Sequence, residues 1–138
     1  MLEYKNKIPT VQEYNLLTEK VGWGKRNEKI VAEALKNTLY AICVYDEEKI
    51  IGSARIIGDK TIFLYIQDVM VIPEYQSKKI GTEIMNKIIE KIEEYRGLNP
   101  NIRVYLGASE GKEMFYKKFG FITRKEANLG EVMILKNE

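Results

Sequence analysis

Gln76, Ser77, Lys78, Lys79, Ile80, Gly81 and Thr82 form one run, QSKKIGT, directly after an apolar segment that ends at Pro73. The run opens what reads as a helix. A strand that feeds a helix N-terminus is a ready anion site, because unpaired backbone N–H groups and the positive end of the helix dipole point to one place. These seven residues would present the amides, and Lys78 and Lys79 add positive charge suited to a phosphate. Gly81 lets a ligand or the preceding strand come close to the backbone. The alternative is that both lysines are solvated surface charges and Gly81 only eases helix packing. Spacing alone supports either.

Other chemistries are excluded by what is missing. The chain has no histidine and one cysteine, so Ser-His-Asp and Cys-His triads are impossible and a zinc site would need carboxylates alone. We expect no metal. Neither a phosphate-loop Gly-Lys-Ser/Thr pattern nor Gly-x-Gly-x-x-Gly after a strand occurs.

The elements that must hold QSKKIGT follow from periodicity. Thr10 caps a helix through VQEYNLLTEKV that the GWG glycines end, and Asn27 caps a second, NEKIVAEALKN, with Ile30, Ala34 and Leu35 on one face. TLYAICVYD and KIIGSARIIGD form a hairpin, followed by the long strand TIFLYIQDVMVI. After Pro73 the period changes: Ile80, Ile84, Ile88 and Ile92, flanked by Met85, Ile89 and Tyr95, predict an amphipathic helix over 79–96. The short strand IRVYLGA comes next, then a brief helix in EGKEMFYKKFG, then a closing hairpin in FITRKEANLGEVMILK. Strand, long helix and strand in succession make a parallel crossover, so the sheet is mixed, with helices on both faces.

Composition fits one soluble domain over 1–138, with 45% hydrophobic and 30% charged residues. A net charge of +2, from 22 basic and 20 acidic side chains, argues for neither nucleic acid nor a membrane surface as partner. No apolar run is long enough to span a bilayer. Cys43, inside LYAICVY, reads as a buried small hydrophobe rather than a reactive thiol, and a lone cysteine suits a reducing compartment. The expected location is cytoplasmic.

DVMVIPEYQSKKIGTEIM, residues 68–85, resembles the acetyl-coenzyme A signature of the GCN5-related N-acetyltransferase (GNAT) superfamily: a strand ending Val-x-Pro-x-Tyr, then Gln/Arg-x-x-Gly-x-Gly/Ala and a helix. MFYKKFGF, 114–121, resembles the family's second signature, Phe-Tyr-x-x-x-Gly-Phe. Lys79 stands where the first pattern has its first glycine. The resemblance covers essentially the whole chain and implies an α/β (α+β) GNAT fold with a mixed sheet of roughly six to seven strands. It further implies acetyl-coenzyme A as co-substrate. Val69, Met70 and Val71 would meet the pantetheine arm through main-chain groups, where the strand splays from its parallel neighbour and can accept the arm like an added strand. Residues 76 to 82 would hold the pyrophosphate. Ser109 stands where many members carry a cofactor-touching asparagine, and Phe115 accompanies the second signature.

The implied reaction is direct acetyl transfer from the thioester to an amine. Tyr116 matches the family's general-acid tyrosine and would protonate the departing thiolate; the alternative for it is an aromatic packing under the C-terminal hairpin, a job that suits Phe115 and Phe119. The base is open: the acidic position used in one branch matches Tyr65 here, and Asp68 is the nearest carboxylate, acting through a water chain or serving as a buried structural acceptor. The VGWGKRNE loop lies where the family builds its acceptor wall, so Trp23 and Tyr65 would line an aromatic pocket, unless Trp23 is a core anchor. Similarity to small bacterial members related to arylalkylamine N-acetyltransferases suggests a small primary amine first and a protein amine second. A coenzyme A-binding sensor without catalysis, or an interaction module that forms a homodimer through a sheet edge, are the readings from other classes.

Overall fold

Helix α1 (Val11–Lys20) starts at a reciprocal cap in which Glu13 N–H donates to Thr10 Oγ1 at 3.1 Å and Thr10 N–H donates to Glu13 Oε1 at 2.9 Å. Each partner satisfies an amide the helix cannot. Helix α2 (Glu28–Lys36) is capped by Asn27, whose side chain accepts from the amides of Lys29 and Ile30. Its buried residues are Val31 and Leu35, whereas Ile30 is 62% exposed, so the expected face is rotated by one residue. Ile30 sits in the first turn, where the cap rather than the apolar stripe fixes the orientation.

The computed structural model describes residues 1–137, which fall into two compact units, the first Met1–Gly107 and the second starting at Ala108. The first unit is built on a five-stranded mixed sheet in the order β1-β2-β3-β4-β5: β1 (Leu2–Lys5), β2 (Tyr40–Asp46), β3 (Lys49–Gly58), β4 (Phe63–Val71) and β5 (Arg103–Leu106). β1 to β4 pair antiparallel and β4 pairs β5 in parallel, as the crossover through helix α3 (Ile80–Leu98) requires. β1 was not expected: LEYK is short and charged, and it becomes a strand only because β2 offers an edge, with Leu2 opposite Asp46.

The register assigns the helices to opposite faces. Arg55 reaches α2, donating through Nη1 to the Ala34 carbonyl at 3.3 Å. Gly52, three residues earlier and therefore on the other face, has Ile84 of α3 against it. A Cβ at Gly52 would lie 2.9 Å from the Met70 carbonyl oxygen and 3.2 Å from Ile84 Cδ1, so only glycine lets β3, β4 and α3 close together here. Ile80, Ile84, Met85, Ile88 and Ile92 are all buried along α3, matching the expected stripe.

The second unit contains helix α4 (Glu113–Lys117) and no strand among the described residues. The sheet therefore has five strands rather than six to seven, and the expected closing hairpin over 121–136 is absent among the described residues. Val132, Met133, Ile134 and Leu135 are 59%, 88%, 89% and 93% exposed. Their strand propensity expresses a fit to a half-buried pleated surface, and it has no effect where no ladder is offered.

Candidate functional site

β4 changes partner part-way along its length. Phe63 to Ile66 pair with Arg103 to Leu106 of β5, and there β5 ends. On that side the main chain of 67–71 has no strand partner among the described residues. On the other side β3 follows with an irregularity: Ser53 faces Met70 and Arg55 faces Gln67, so Asp68 and Val69 together oppose the single residue Ala54. This is a β-bulge, and Asp68 adopts a left-handed φ of 55° within it. A bulge beside an unpaired stretch of edge turns its main-chain groups away from the regular ladder. Val69 and Val71 are half-buried and Met70 is buried, so their side chains anchor the segment.

Asp68 is tightly held. Arg55 Nε donates to its Oδ2 at 2.7 Å, and the Tyr14 hydroxyl donates to the same oxygen at 3.0 Å. The two ionic side chains are only 10% and 12% exposed. Arg55 also donates to Thr38 Oγ1, and Arg26 Nη1 donates to the Tyr14 hydroxyl at 3.5 Å. Burial first, then the Asp68 carboxylate, push the Tyr14 phenol above its ordinary range. One network thus ties α1, α2 and β3 to the bulge. Sequence reasoning missed Arg55 and Tyr14, although an arginine inside IIGSARIIG was a signal, since a charge in an apolar strand needs a partner.

The QSKKIGT run follows β4 through a single 3-10 turn, Pro73–Tyr75. Ser77 and Lys79 both take a left-handed φ of 65°, and Lys79 is the N-cap of α3 with no side-chain cap. Left-handed residues at alternate positions turn successive amides into one concavity. Among the described residues, the amides of Ser77, Lys78, Lys79, Ile80, Gly81 and Thr82 find no hydrogen-bond acceptor. Six free N–H groups at a helix start, with Lys78 and Lys79 exposed beside them, make a cradle of donors of the kind an anion can use. Gln76 points elsewhere: its Nε2 donates to the Val71 carbonyl at 2.9 Å and links the cradle to the end of β4.

Tyr65 is half-buried and lies in register with Tyr105 of β5. Its hydroxyl occupies the space over Gly107, where a Cβ would come within 2.8 Å. Trp23 is 45% exposed, with its backbone N–H fixed to the Thr18 carbonyl at 2.8 Å. Of the predicted residues, Asp68 to Val71 and Gln76 to Thr82 therefore converge on one strand-to-helix connection.

In the second unit Tyr116 sits in an aromatic cluster. Its ring is 5.0 Å from Phe115 and 6.3 Å from Phe121, both edge-on, and Phe115 is 5.3 Å from Phe119. Burial raises the Tyr116 phenol above its ordinary value, which keeps the proton on. Ser109 is exposed, and its carbonyl accepts from Lys112 N–H at 2.9 Å. Among the described residues there is no group of three or more His, Cys, Asp or Glu suited to a metal, and no helix is long and apolar enough to cross a membrane.

Residues 37–123 match the family model for the acetyltransferase (GNAT) domain, which takes in the bulged strand, the cradle and the aromatic cluster. The chain belongs to the GNAT acetyltransferase family. It is 32% identical over 120 residues to an uncharacterised N-acetyltransferase, ycf52-like, of Prochlorococcus marinus, a match covering 84% of this chain and 64% of that protein. The chain thus spans just under two thirds of that relative's length. A probable acetyltransferase of Staphylococcus aureus shares the fold at a TM-score of 0.85 and 28% identity, covering 99% of this chain and all (100%) of the other. Arabidopsis thaliana Naa50, solved with the bisubstrate analogue CoA-Ac-MVNAL, shares the fold at a TM-score of 0.70 and 19% identity, with 88% and 83% of the two chains covered. In a GNAT domain, the left-handed Lys79 supplies with a lysine the backbone shape that glycine adopts more readily.

Proposed function

We propose that this GNAT protein transfers the acetyl group of acetyl-coenzyme A to the primary amine of a small molecule, as one N-acetyltransferase domain over 1–138. The observation that carries the reading is the pairing of a bulged β4 that outruns β5 with six unused amides one turn further along. The amide-rich pantetheine arm adds to the open edge at Val69, Met70 and Val71, and the pyrophosphate takes the amides and charges of 76–82. The family motifs also assign Ser109 and Phe115 to the cofactor. The bisubstrate analogue CoA-Ac-MVNAL held by the Naa50 neighbour supports the cofactor class.

The amine nitrogen attacks the thioester carbonyl, a C–N bond forms, the C–S bond breaks, and the thiolate takes a proton. Tyr116 is the donor by its motif position, supported by a phenol that burial keeps protonated. The amine has a pKa of about 10 in water and attacks only when neutral, so its proton must leave. Asp68 is the carboxylate on the bulge. Its two donors at Oδ2 support a role in holding the bulge, and a relay through water is the second role open to it. Tyr65 and Trp23 supply aromatic surface for the acceptor. A small amine ranks ahead of a protein amine on this aromatic character, and the cytoplasm is the compartment the single buried thiol suits. The exposed apolar run Val132–Leu135 favours a homodimer, since a second copy would cover it.

The test is mass-spectrometric detection of acetylated product and released coenzyme A across parallel panels of small amines and peptides. Acetylation of small amines is expected. Turnover on peptides alone would move the acceptor class, and cofactor binding without turnover on either panel would leave a sensor.

A further inference from the structure

The cradle is held from outside its own segment, at Tyr75. The Tyr75 hydroxyl donates to Asp46 Oδ2, a short contact between the turn after β4 and the end of β2, 29 residues apart in sequence. The same ring carries two ammonium groups: Lys78 Nζ lies 5.4 Å and Lys49 Nζ 5.9 Å from its centroid, both within cation–π range. Next to it, Glu74 lies 3.7 Å from Lys20 Nζ of α1. Two residues beyond Tyr75 the chain enters the left-handed positions at Ser77 and Lys79. Left-handed conformation costs an L-residue roughly 1–2 kcal/mol, so this loop keeps its shape only where its surroundings fix it. Inside the loop, six amides make no bonds that could do so. The Asp46–Tyr75 contact fixes the entry of the loop to the sheet, and the Tyr75 ring holds the Lys78 ammonium over its face.

We propose that Asp46 and Tyr75 are positioning residues that preorganise the 76–82 loop for the phosphate groups of acetyl-coenzyme A. Neither touches the reacting atoms. Their effect falls on capture of the phosphate-bearing end of the cofactor and leaves the chemical step alone. This inference rests on the cofactor site proposed above.

The test uses the full chain with two acetyl donors, acetyl-coenzyme A and S-acetyl-pantetheine, which lacks every phosphate. Tyr75→Phe removes the tether and keeps the ring, and Asp46→Ala removes the acceptor. Each is expected to raise KM for acetyl-coenzyme A about tenfold, the scale of one hydrogen bond to a charged group, with kcat unchanged and KM for S-acetyl-pantetheine unchanged. Asp46→Asn, which still accepts from the phenol, should stay close to wild type, and the double variant should cost no more than either single one. Equal KM increases for both donors, additive losses, or acetyl-coenzyme A kinetics indifferent to both substitutions would overturn the proposal. In those cases a wild-type protein that still prefers acetyl-coenzyme A to ATP keeps the cofactor site itself intact. A wild type without that preference overturns both.

Discussion

Replacing Lys79 with glycine should make the protein more stable, although it deletes a side chain from the candidate site. Lys79 caps α3 at φ 65° and ψ 16°, the left-handed well, with no side-chain cap to offset the conformation. Releasing an L-residue from that well returns about 1–2 kcal/mol. Glycine also loosens the unfolded chain, which takes back about 0.4–1 kcal/mol. The net is a stabilisation of about 0.5–1 kcal/mol, or a rise in Tm of roughly 2–5 °C for a chain of this size. Lys79→Ala separates backbone from side chain: it loses the same charge and keeps the same strain, so it should sit at or below wild type. Urea denaturation of the three proteins, with m-values compared, measures the difference. If Lys79→Gly proves no more stable than Lys79→Ala, the left-handed cap does not carry the assigned strain and the preorganised cradle loses its main physical support.

Further expectations concern catalysis, the site charge and the core. Tyr116→Phe should lower kcat on the order of 10²-fold with acetyl-coenzyme A affinity unchanged. Because burial raises this phenol above its ordinary 10.0, the donor stays protonated through neutral pH, and its loss of function should appear only as pH rises past about 10. Unchanged turnover in Tyr116→Phe would remove it from the mechanism. Lys78→Glu should weaken acetyl-coenzyme A far more than S-acetyl-pantetheine, and equal losses would move the pyrophosphate elsewhere. Asp68→Asn strips the anion from Arg55 in a nearly buried pair and should cost about 3 kcal/mol of stability by thermal or urea unfolding. Stability equal to wild type would contradict the bulge-holding role. Cys43 is fully buried, and burial pushes its thiol up to about 11, so thiol reagents at pH 8 should label it only as the protein unfolds. Rapid labelling of the folded protein would contradict that placement.

What could be read from the chain was what local chemistry determines. The Thr10 and Asn27 caps involve residues two or three apart, and the α3 stripe repeats at helical spacing, so both appear in the structure as expected. That β4 outruns β5 follows from the same local reading, because a long strand followed by a crossover to a short one must extend past its partner. Non-local decisions were not legible. β1 depends on an edge more than 40 residues away, as its Leu2 to Asp46 register shows. Arg55 and Asp68 are joined across 13 residues by the register of the sheet, and Asp46 and Tyr75 across 29 by the turn that follows β4. The hairpin expected over 121–136 failed for the opposite reason: its residues have strand propensity, but a strand needs a partner that propensity does not specify. Lys79 was visible as a departure from glycine, and only the backbone angle showed that the chain keeps glycine's conformation there regardless.

We propose that the β4–α3 connection binds acetyl-coenzyme A through free amides and the open strand edge. Calorimetric titration of the purified protein with acetyl-coenzyme A, set against ATP as a phosphate-bearing control, tests it most directly. Saturable one-site binding selective for acetyl-coenzyme A is the predicted result; no binding, or equal binding of ATP, would contradict it.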